Sequence, residues 1–212
     1  MIAFFVYDLD RYSGAAKQAL LLARNMSRKV LIFNLNFSRY RRWRIGENIE
    51  VINLPKSLIF QFLSILFHTI GKNIRTYHCH GFFLSTLLVG KMLNRKIILK
   101  TTLLGDDDLD TLRKSSFGAL KLKFLQCIKV NVVLSEKLKN INTKYLKKPE
   151  ITLIPNGTFI PRNDEIKKKQ NIFCYVGLIC PRKRPLESII HFKRNFSKIP
   201  ESCLYMVENL SR

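Results

Sequence analysis

The sequence predicts an α/β protein: a Rossmann-like, doubly wound parallel sheet with the opening of a second, incomplete Rossmann-like domain behind it. Three observations carry this. Runs such as Ile2–Tyr7 (IAFFVY) and Val30–Asn34 (VLIFN) are apolar on both alternating sides, as strands buried on two faces must be. Amphipathic stretches of helical length separate them. The alternation also halts at one polar segment, Thr158–Gln170, and then resumes.

Taken in order, Ile2–Tyr7 is the first strand, followed by a loop ending at Ser13-Gly14 and a helix over Ala15–Ser27. Strands follow at Val30–Asn34 and Ile49–Leu54, joined by a loop holding RYRRWR. Pro55 then precedes an apolar helix, Leu58–Ile70. Its 13 residues fall short of the roughly 20 that span a bilayer, so it is either buried or lies in a membrane interface. Thr76–His80 is a strand, Phe82–Leu93 a helix and Lys96–Thr101 a strand. A helix lies within Leu109–Gln126, then strand Val130–Leu134, helix Glu136–Leu146 and strand Ile151–Ile154. Residues 1–157 thus form the first domain, with its ligand crevice expected at the strand C-terminal ends. Residues 158–170 (TFIPRNDEIKKKQ), charged and without period, read as a linker. Strand Ile172–Gly177, helix Leu186–Phe196 and strand Cys203–Val207 open the second domain, 171–212. One helix between two strands closes no core, so this part reads as truncated.

The 212 residues are 47% hydrophobic, which excludes a disordered chain. Thirty-seven Lys and Arg against fifteen Asp and Glu give a formal charge of +22, which favours acidic partners: nucleic acid, anionic membrane or phosphorylated substrates. Five scattered cysteines form no C-x-x-C pair and no zinc spacing; they read as buried, reduced thiols in a cytoplasmic protein. The N-terminus lacks the basic region and cleavage site of a signal peptide.

Chemistry concentrates at a few places. Gly14, between first strand and first helix, lets a ligand approach the backbone and the helix N-terminus. His78 and His80 end a strand and point to one side of it; the imidazole of His80 can serve as acid, base or phosphate donor near neutrality, or the pair can simply be packed and hydrogen-bonded. Gly105-Asp106-Asp107-Asp108 reads as a helix cap rather than a cation site. Arg41, Arg42, Trp43 and Arg44, within RYRRWR, suit an anionic lipid surface or RNA. The neighbouring apolar helix tips the balance to membrane, and no RNP, KH or helix-turn-helix signature supports nucleic acid. Gly177 ends a strand, and Arg182, Lys183 and Arg184 then stand just before a helix, where cations and free N–H groups attract a diphosphate.

The order of these motifs resembles the family 4 glycosyltransferases, of GT-B fold: the loop ending in Gly14, His78–Gly81 (HCHG), Leu134–Asn140 (LSEKLKN), Leu153–Gly157 (LIPNG) and Tyr175–Pro185 (YVGLICPRKRP). The resemblance implies a nucleotide-diphosphate sugar as co-substrate, bound mainly by the C-terminal domain, and an acceptor on the N-terminal one. It further implies retention of anomeric configuration and no metal or other cofactor. Lys183 matches the family's diphosphate-binding lysine, with Arg182 beside it; Gly14 and Gly177 line the donor crevice; His80 takes the catalytic, acceptor-facing position. His78, Arg41, Arg42, Trp43 and Arg44 are then on the acceptor or membrane side. The position after Lys183, usually glycine in the family, is Arg184. Expected partners are a nucleotide sugar, a saccharide or lipid-linked acceptor of surface polysaccharide synthesis, and an anionic membrane. The expected site is the inner face of the cytoplasmic membrane, as a peripheral protein. The family's E-x7-E region has no counterpart before Arg212, so the chain alone is expected to turn over weakly, unless a separately encoded C-terminal half completes it. The alternative is a catalytically incomplete membrane- or partner-binding module derived from a transferase.

Overall fold

The computed structural model describes residues 1–9, 14–37, 40–157, 171–177 and 179–207; the side chains of Asn36, Phe37 and Arg182 lie outside that set. So do Ser13, Arg39, Leu178 and the segment 158–170 read as a linker. The chain divides into two compact units, Met1–Gly157 and Thr158–Arg212.

The first unit is built on an eight-stranded sheet: β1 (Ile2–Tyr7), β2 (Val30–Phe37), β3 (Arg42–Ile45), β4 (Ile49–Pro55), β5 (Thr76–His80), β6 (Lys96–Thr101), β7 (Val130–Val133) and β8 (Glu150–Leu153). In space they run β3-β4-β2-β1-β5-β6-β7-β8. Every neighbouring pair is parallel except β3 with β4. Chain order reverses at β1, whose neighbours are β2 and β5, which puts the switch point of a doubly wound sheet at the C-terminal ends of β1 and β5.

Both faces of the sheet are covered, which is why its strands carry so few polar residues. On one side Phe4, Val6, Val30, Ile32 and Val51 pack against Ala16, Ala19 and Ala23 of α1 (Gly14–Arg24). On the other, Ala3, Phe5, Leu31, Phe33, Ile52, Tyr77, Cys79 and Leu99 face a helical layer. That layer holds α2 (Leu58–Gly71), α3 (Leu84–Met92), α4 (Leu109–Lys114), α5 (Gly118–Leu125) and α6 (Glu136–Thr143). At Gly90 in α3 an added Cβ would lie 2.6 Å from Ile97 Cδ1, so helix and sheet meet closely there and a larger residue would have to displace the Ile97 side chain.

Three expectations are corrected. The RYRRWR run is not a loop: Arg42–Ile45 pairs antiparallel with β4, because Trp43 and Ile45 alternate inward against the α1-side core while Arg42 and Arg44 face out. The stretch Leu109–Gln126 is two helices, since Ser115 leaves the helical region and Phe117 takes φ of +57°. The cysteines are unpaired, yet only Cys79 is buried; Cys174 is exposed and the other three are intermediate. Cys79 lies in the core and Cys127 packs against it, while the three cysteines of the second unit do not act as core hydrophobes.

In the second unit, β9 (Ile172–Val176) and β10 (Cys203–Val207) form a parallel pair with α7 (Pro185–Asn195) between them in sequence. Phe173, Phe192 and Phe196 make a small aromatic cluster, rings 4.4 to 6.2 Å apart. No described residue of this unit is buried. A cavity of about 530 Å³ opens between α7 and β9, lined by Phe173, Tyr175, Phe192 and Leu204 among others.

Candidate functional site

The C-terminal edge of the first unit's sheet gathers most of the polar chemistry. Asn34, in the C-terminal half of β2, is fully buried; its amide donates to Asn53 Oδ1 at 2.9 Å and its oxygen accepts from the Leu9 N–H at 2.9 Å, tying down the chain after β1. Gly14 opens α1 just beyond, and a Cβ built on it meets nothing within 4 Å. Fold sterics leave that position free for a side chain.

His78 and His80 sit on the α1-facing side of β5, their rings 4.6 Å apart, with Phe4 4.9 Å from the first and 5.7 Å from the second. Burial against this apolar neighbour, with Lys100 nearby, pushes the His78 pKa down to about 4. His80 is pushed lower, to about 2, by burial first and then by His78 and Lys100. Both rings are therefore neutral at pH 7. His80 is 2% exposed, and neither of its ring nitrogens has a hydrogen-bond partner among the described residues. An unsatisfied buried polar group costs about 1–3 kcal/mol. A neutral imidazole with a free donor and a free acceptor is thus held, at a cost, beside the switch point.

Two residues join this edge that the sequence reading passed over. Lys100, next to last in β6, lies directly across from His80 in the register, and its Nζ donates to Asn156 Oδ1 at 2.8 Å. Burial lowers its pKa. Gln18 of α1 donates to the Gly157 carbonyl at 2.8 Å. The LIPNG turn after β8 is thereby anchored at one point to β6 and at another to α1. A lysine directly after the apolar run Ile97–Leu99 of β6 was the available signal for the first contact; for the second there was none.

The aspartate cluster is structural. Asp107 accepts from the Thr102 N–H (3.0 and 2.9 Å), Thr102 Oγ1 (2.8 Å) and the Leu103 N–H (2.6 Å), clamping the loop after β6; burial raises its pKa against these bonds. Asp108 caps α4, accepting from the Thr111 N–H at 3.0 Å and Thr111 Oγ1 at 2.8 Å. No group of three His, Cys, Asp or Glu suited to a metal occurs among the described residues.

The structure does not bring the basic run to the histidines. In strand order β3 lies four places from β5, about 19 Å at ordinary strand spacing. Arg42 is spent on Glu50, which also pairs with Lys72; Arg41 lies over the Trp43 ring, 5.3 Å from its centroid. Within the basic run, Arg41 and Arg44 are exposed and make no ion pair among the described residues. The apolar helix is more telling. Leu58, Ile59, Phe60, Leu63, Phe67 and Ile70 of α2 are all exposed, Ile59 by 70% and Phe67 by 74%.

In the second unit, Gly177 follows directly on β9, and Pro181–Lys183 forms a single 3-10 turn before α7. Lys183 and Arg184 are exposed at the α7 N-terminus; the Arg182 side chain is outside the described set. Arg184 is the N-cap residue, with φ of +51° and ψ of +52°, a left-handed conformation that glycine adopts without penalty. The position where the resembled family carries glycine retains the glycine's backbone.

Comparison with known proteins adds the fold. No family model and no curated protein sequence matches the chain. Solved structures do. An α,α-trehalose-phosphate synthase (UDP-forming) from Burkholderia vietnamiensis superposes with a TM-score of 0.63 at 12% identity, over 100% of this chain and 65% of that one. An apo structure of OtsA gives 0.62 at 12% identity, over 99% and 65%. A trehalose-6-phosphate protein from E. coli bound with UDP-2-fluoro glucose gives 0.53 at 12%, over 100% and 74%. The fold is that of GT-B glycosyltransferases. At these identities the likeness is one of architecture. The chain spans about two thirds of the length of the first two structures, and the trehalose-phosphate synthases belong to glycosyltransferase families other than family 4. Among the described residues no helix is long and apolar enough to cross a membrane.

Proposed function

We propose that this chain is a glycosyltransferase polypeptide that moves a hexosyl unit from a nucleotide-diphosphate sugar to a glycan acceptor, with retention and without a metal. The observation that carries the reading is His80: a buried, neutral imidazole with both nitrogens unpartnered at the switch point of a GT-B-type sheet. Transfer breaks the bond between the anomeric carbon and the diphosphate oxygen, which leaves with the electron pair; the acceptor oxygen bonds to that carbon in its place, and its proton passes to the departing diphosphate. Cations at a helix N-terminus stabilise the departing diphosphate, the role of Lys183 with Arg182. His80 takes the acceptor hydroxyl as hydrogen-bond partner, and Gly14 keeps the α1 N-terminus open to donor phosphates. The acceptor is a saccharide on a membrane lipid, in surface polysaccharide synthesis at the cytoplasmic face, and the exposed stripe of α2 lies in the anionic membrane interface beside it.

Calorimetric titration of the purified chain with a panel of nucleotide-diphosphate sugars, without divalent ions, tests the donor half. Binding of one member, weakened at least about tenfold by Lys183→Gln as loss of a charge-assisted contact requires, supports it. Failure of every member to bind, or binding that Lys183→Gln leaves unchanged, removes it. A second reading, a membrane- or partner-binding module derived from a transferase and completed by a separately encoded half, draws on the α2 stripe and on the absence of buried residues in the described second unit. Vesicle binding without any sugar-nucleotide binding selects that reading.

A further inference from the structure

The opposite, N-terminal edge of the first unit's sheet carries a second basic site that the transferase reading does not use. A cavity of about 400 Å³ opens there at the starts of β1, β5 and β6. Arg28 reaches it from the turn after α1, Arg75 from the turn after α2, Arg95 from the turn after α3, and Lys96 from the first residue of β6; Asn94 and Thr76 add an amide and a hydroxyl. No carboxylate lines it.

A cation after each helix is expected, because it complements the partial negative charge of the helix C-terminus. That argument places one cation per helix. It does not explain three guanidiniums converging with a lysine on one cavity and no acid to separate them. None of the four makes an ion pair among the described residues. The neighbouring cavity at the starts of β2 and β4 shows the alternative: there Glu50 takes both Arg42 and Lys72, and Glu47 stands beside Arg44. The cluster is also built on fixed backbone. The Arg95 N–H donates to the Gly90 carbonyl at 2.7 Å and the Lys96 N–H to the Arg75 carbonyl at 3.1 Å, while Asn94 turns the chain at φ of +50°. Arg95 itself is partly buried, and its Nε is a buried donor without a partner. Planar guanidinium donors arranged around one cavity match the oxygens of a phosphate group.

We propose that this cavity binds a phosphate-type oxyanion, with Arg75 and Arg95 as its principal donors and Arg28 and Lys96 closing the rim. The shared chemistry is a phosphate monoester, whether free in solution or on a lipid headgroup. The test uses the full chain carrying Lys183→Gln, so that the Lys183 charge does not contribute. Inorganic phosphate is titrated by calorimetry at constant ionic strength in chloride, and vesicles of phosphatidylcholine with phosphatidic acid are titrated in parallel. Affinity for at least one probe is expected to fall tenfold or more in Arg75→Gln/Arg95→Gln, with circular dichroism unchanged. Should that pair disturb folding, Arg28→Gln/Arg75→Gln replaces exposed side chains only and is expected to lose at least threefold. Loss on inorganic phosphate assigns a soluble ligand, and loss confined to vesicles assigns a lipid phosphate. Absence of binding to both probes, or binding that the variants leave unchanged, overturns the proposal.

Discussion

At His78 and His80 the environment favours the uncharged ring so strongly that folding and titration are linked. The sign is fixed by the direction of the shift. Both folded-state values lie below the ordinary 6.5, so between that pH and about 4 the unfolded chain takes up protons that the folded chain refuses. Stability is complete above pH 6.5 and falls as pH drops through that window. His78 alone contributes on the order of 3 kcal/mol across it, at about 1.4 kcal/mol per pH unit. Chemical denaturation at pH 7.0, 6.0 and 5.0 should show this decline, and a His78→Asn/His80→Asn variant should flatten it; an equally steep slope in the variant would assign the decline to other groups. Arg184 presents the reverse case, a residue holding a conformation it disfavours. Arg184→Gly should stabilise the second unit by about 1 kcal/mol by relieving the left-handed strain, while any sugar-nucleotide affinity falls because a cation leaves the α7 N-terminus. The histidines were legible from alternation within β5. Lys100, Asn156 and Gln18 were not, since their contacts span 56 residues in one case and 139 in the other, and no local pattern encodes a partner that distant.

Among the elements, what the sequence revealed followed from how thoroughly each was buried. β1, β2, β5 and β6 were evident because two covered faces leave little room for polar side chains. β3 was obscured by counting its arginines rather than reading their period: R-W-R-I alternates as an edge strand should, charge outward and bulk inward. The break between α4 and α5 rests on steric detail. A Cβ on Gly118 would stand 1.9 Å from the Arg113 carbonyl oxygen, a backbone atom that cannot swing aside. Gly118→Ala should therefore cost about 1–3 kcal/mol, the ordinary penalty of forced overpacking, readable as a lowered denaturation midpoint; an unchanged midpoint would mean that the two helices join without strain. α2 makes a different prediction. From residue 51 to residue 105 the chain has no Asp or Glu but seven Lys and Arg, and the exposed apolar stripe of α2 lies within that stretch. An apolar face framed only by cations suits an anionic interface. Phe67→Ser/Ile59→Ser should leave folding stability within about 0.5 kcal/mol, as exposed substitutions do, and lower partitioning onto anionic vesicles severalfold in a sedimentation assay. Equal partitioning of variant and parent would take α2 out of the membrane contact.

Across the whole molecule the two units differ in how much of themselves they remove from water, and stability should divide accordingly. The first has two cores, with Phe4, Phe5, Leu31, Ile32, Phe33 and Ile52 all at 1% exposure or less. The second, over its described residues, has a pair of strands, one helix with no buried residue and a three-ring cluster. Val176, Leu186 and Tyr205 stand 74%, 65% and 54% exposed. Apolar burial contributes about 25 cal/mol per Å², and two paired strands without a covered face are marginal by themselves. Local opening of β9 and β10 should therefore cost far less than global unfolding. Native-state hydrogen exchange is expected to show amides of Phe173–Val176 and Leu204–Val207 exchanging at least about a hundredfold faster than those of Ala3–Val6, a difference of roughly 3 kcal/mol in opening free energy. A bound sugar nucleotide that engages Lys183 should slow exchange in β9 and at the α7 N-terminus while leaving β1 unchanged, since binding stabilises only what it contacts or what folds with it. Equal protection in both units without ligand would mean that the second draws on burial beyond its own described residues, and the marginal stability argued for it would fall.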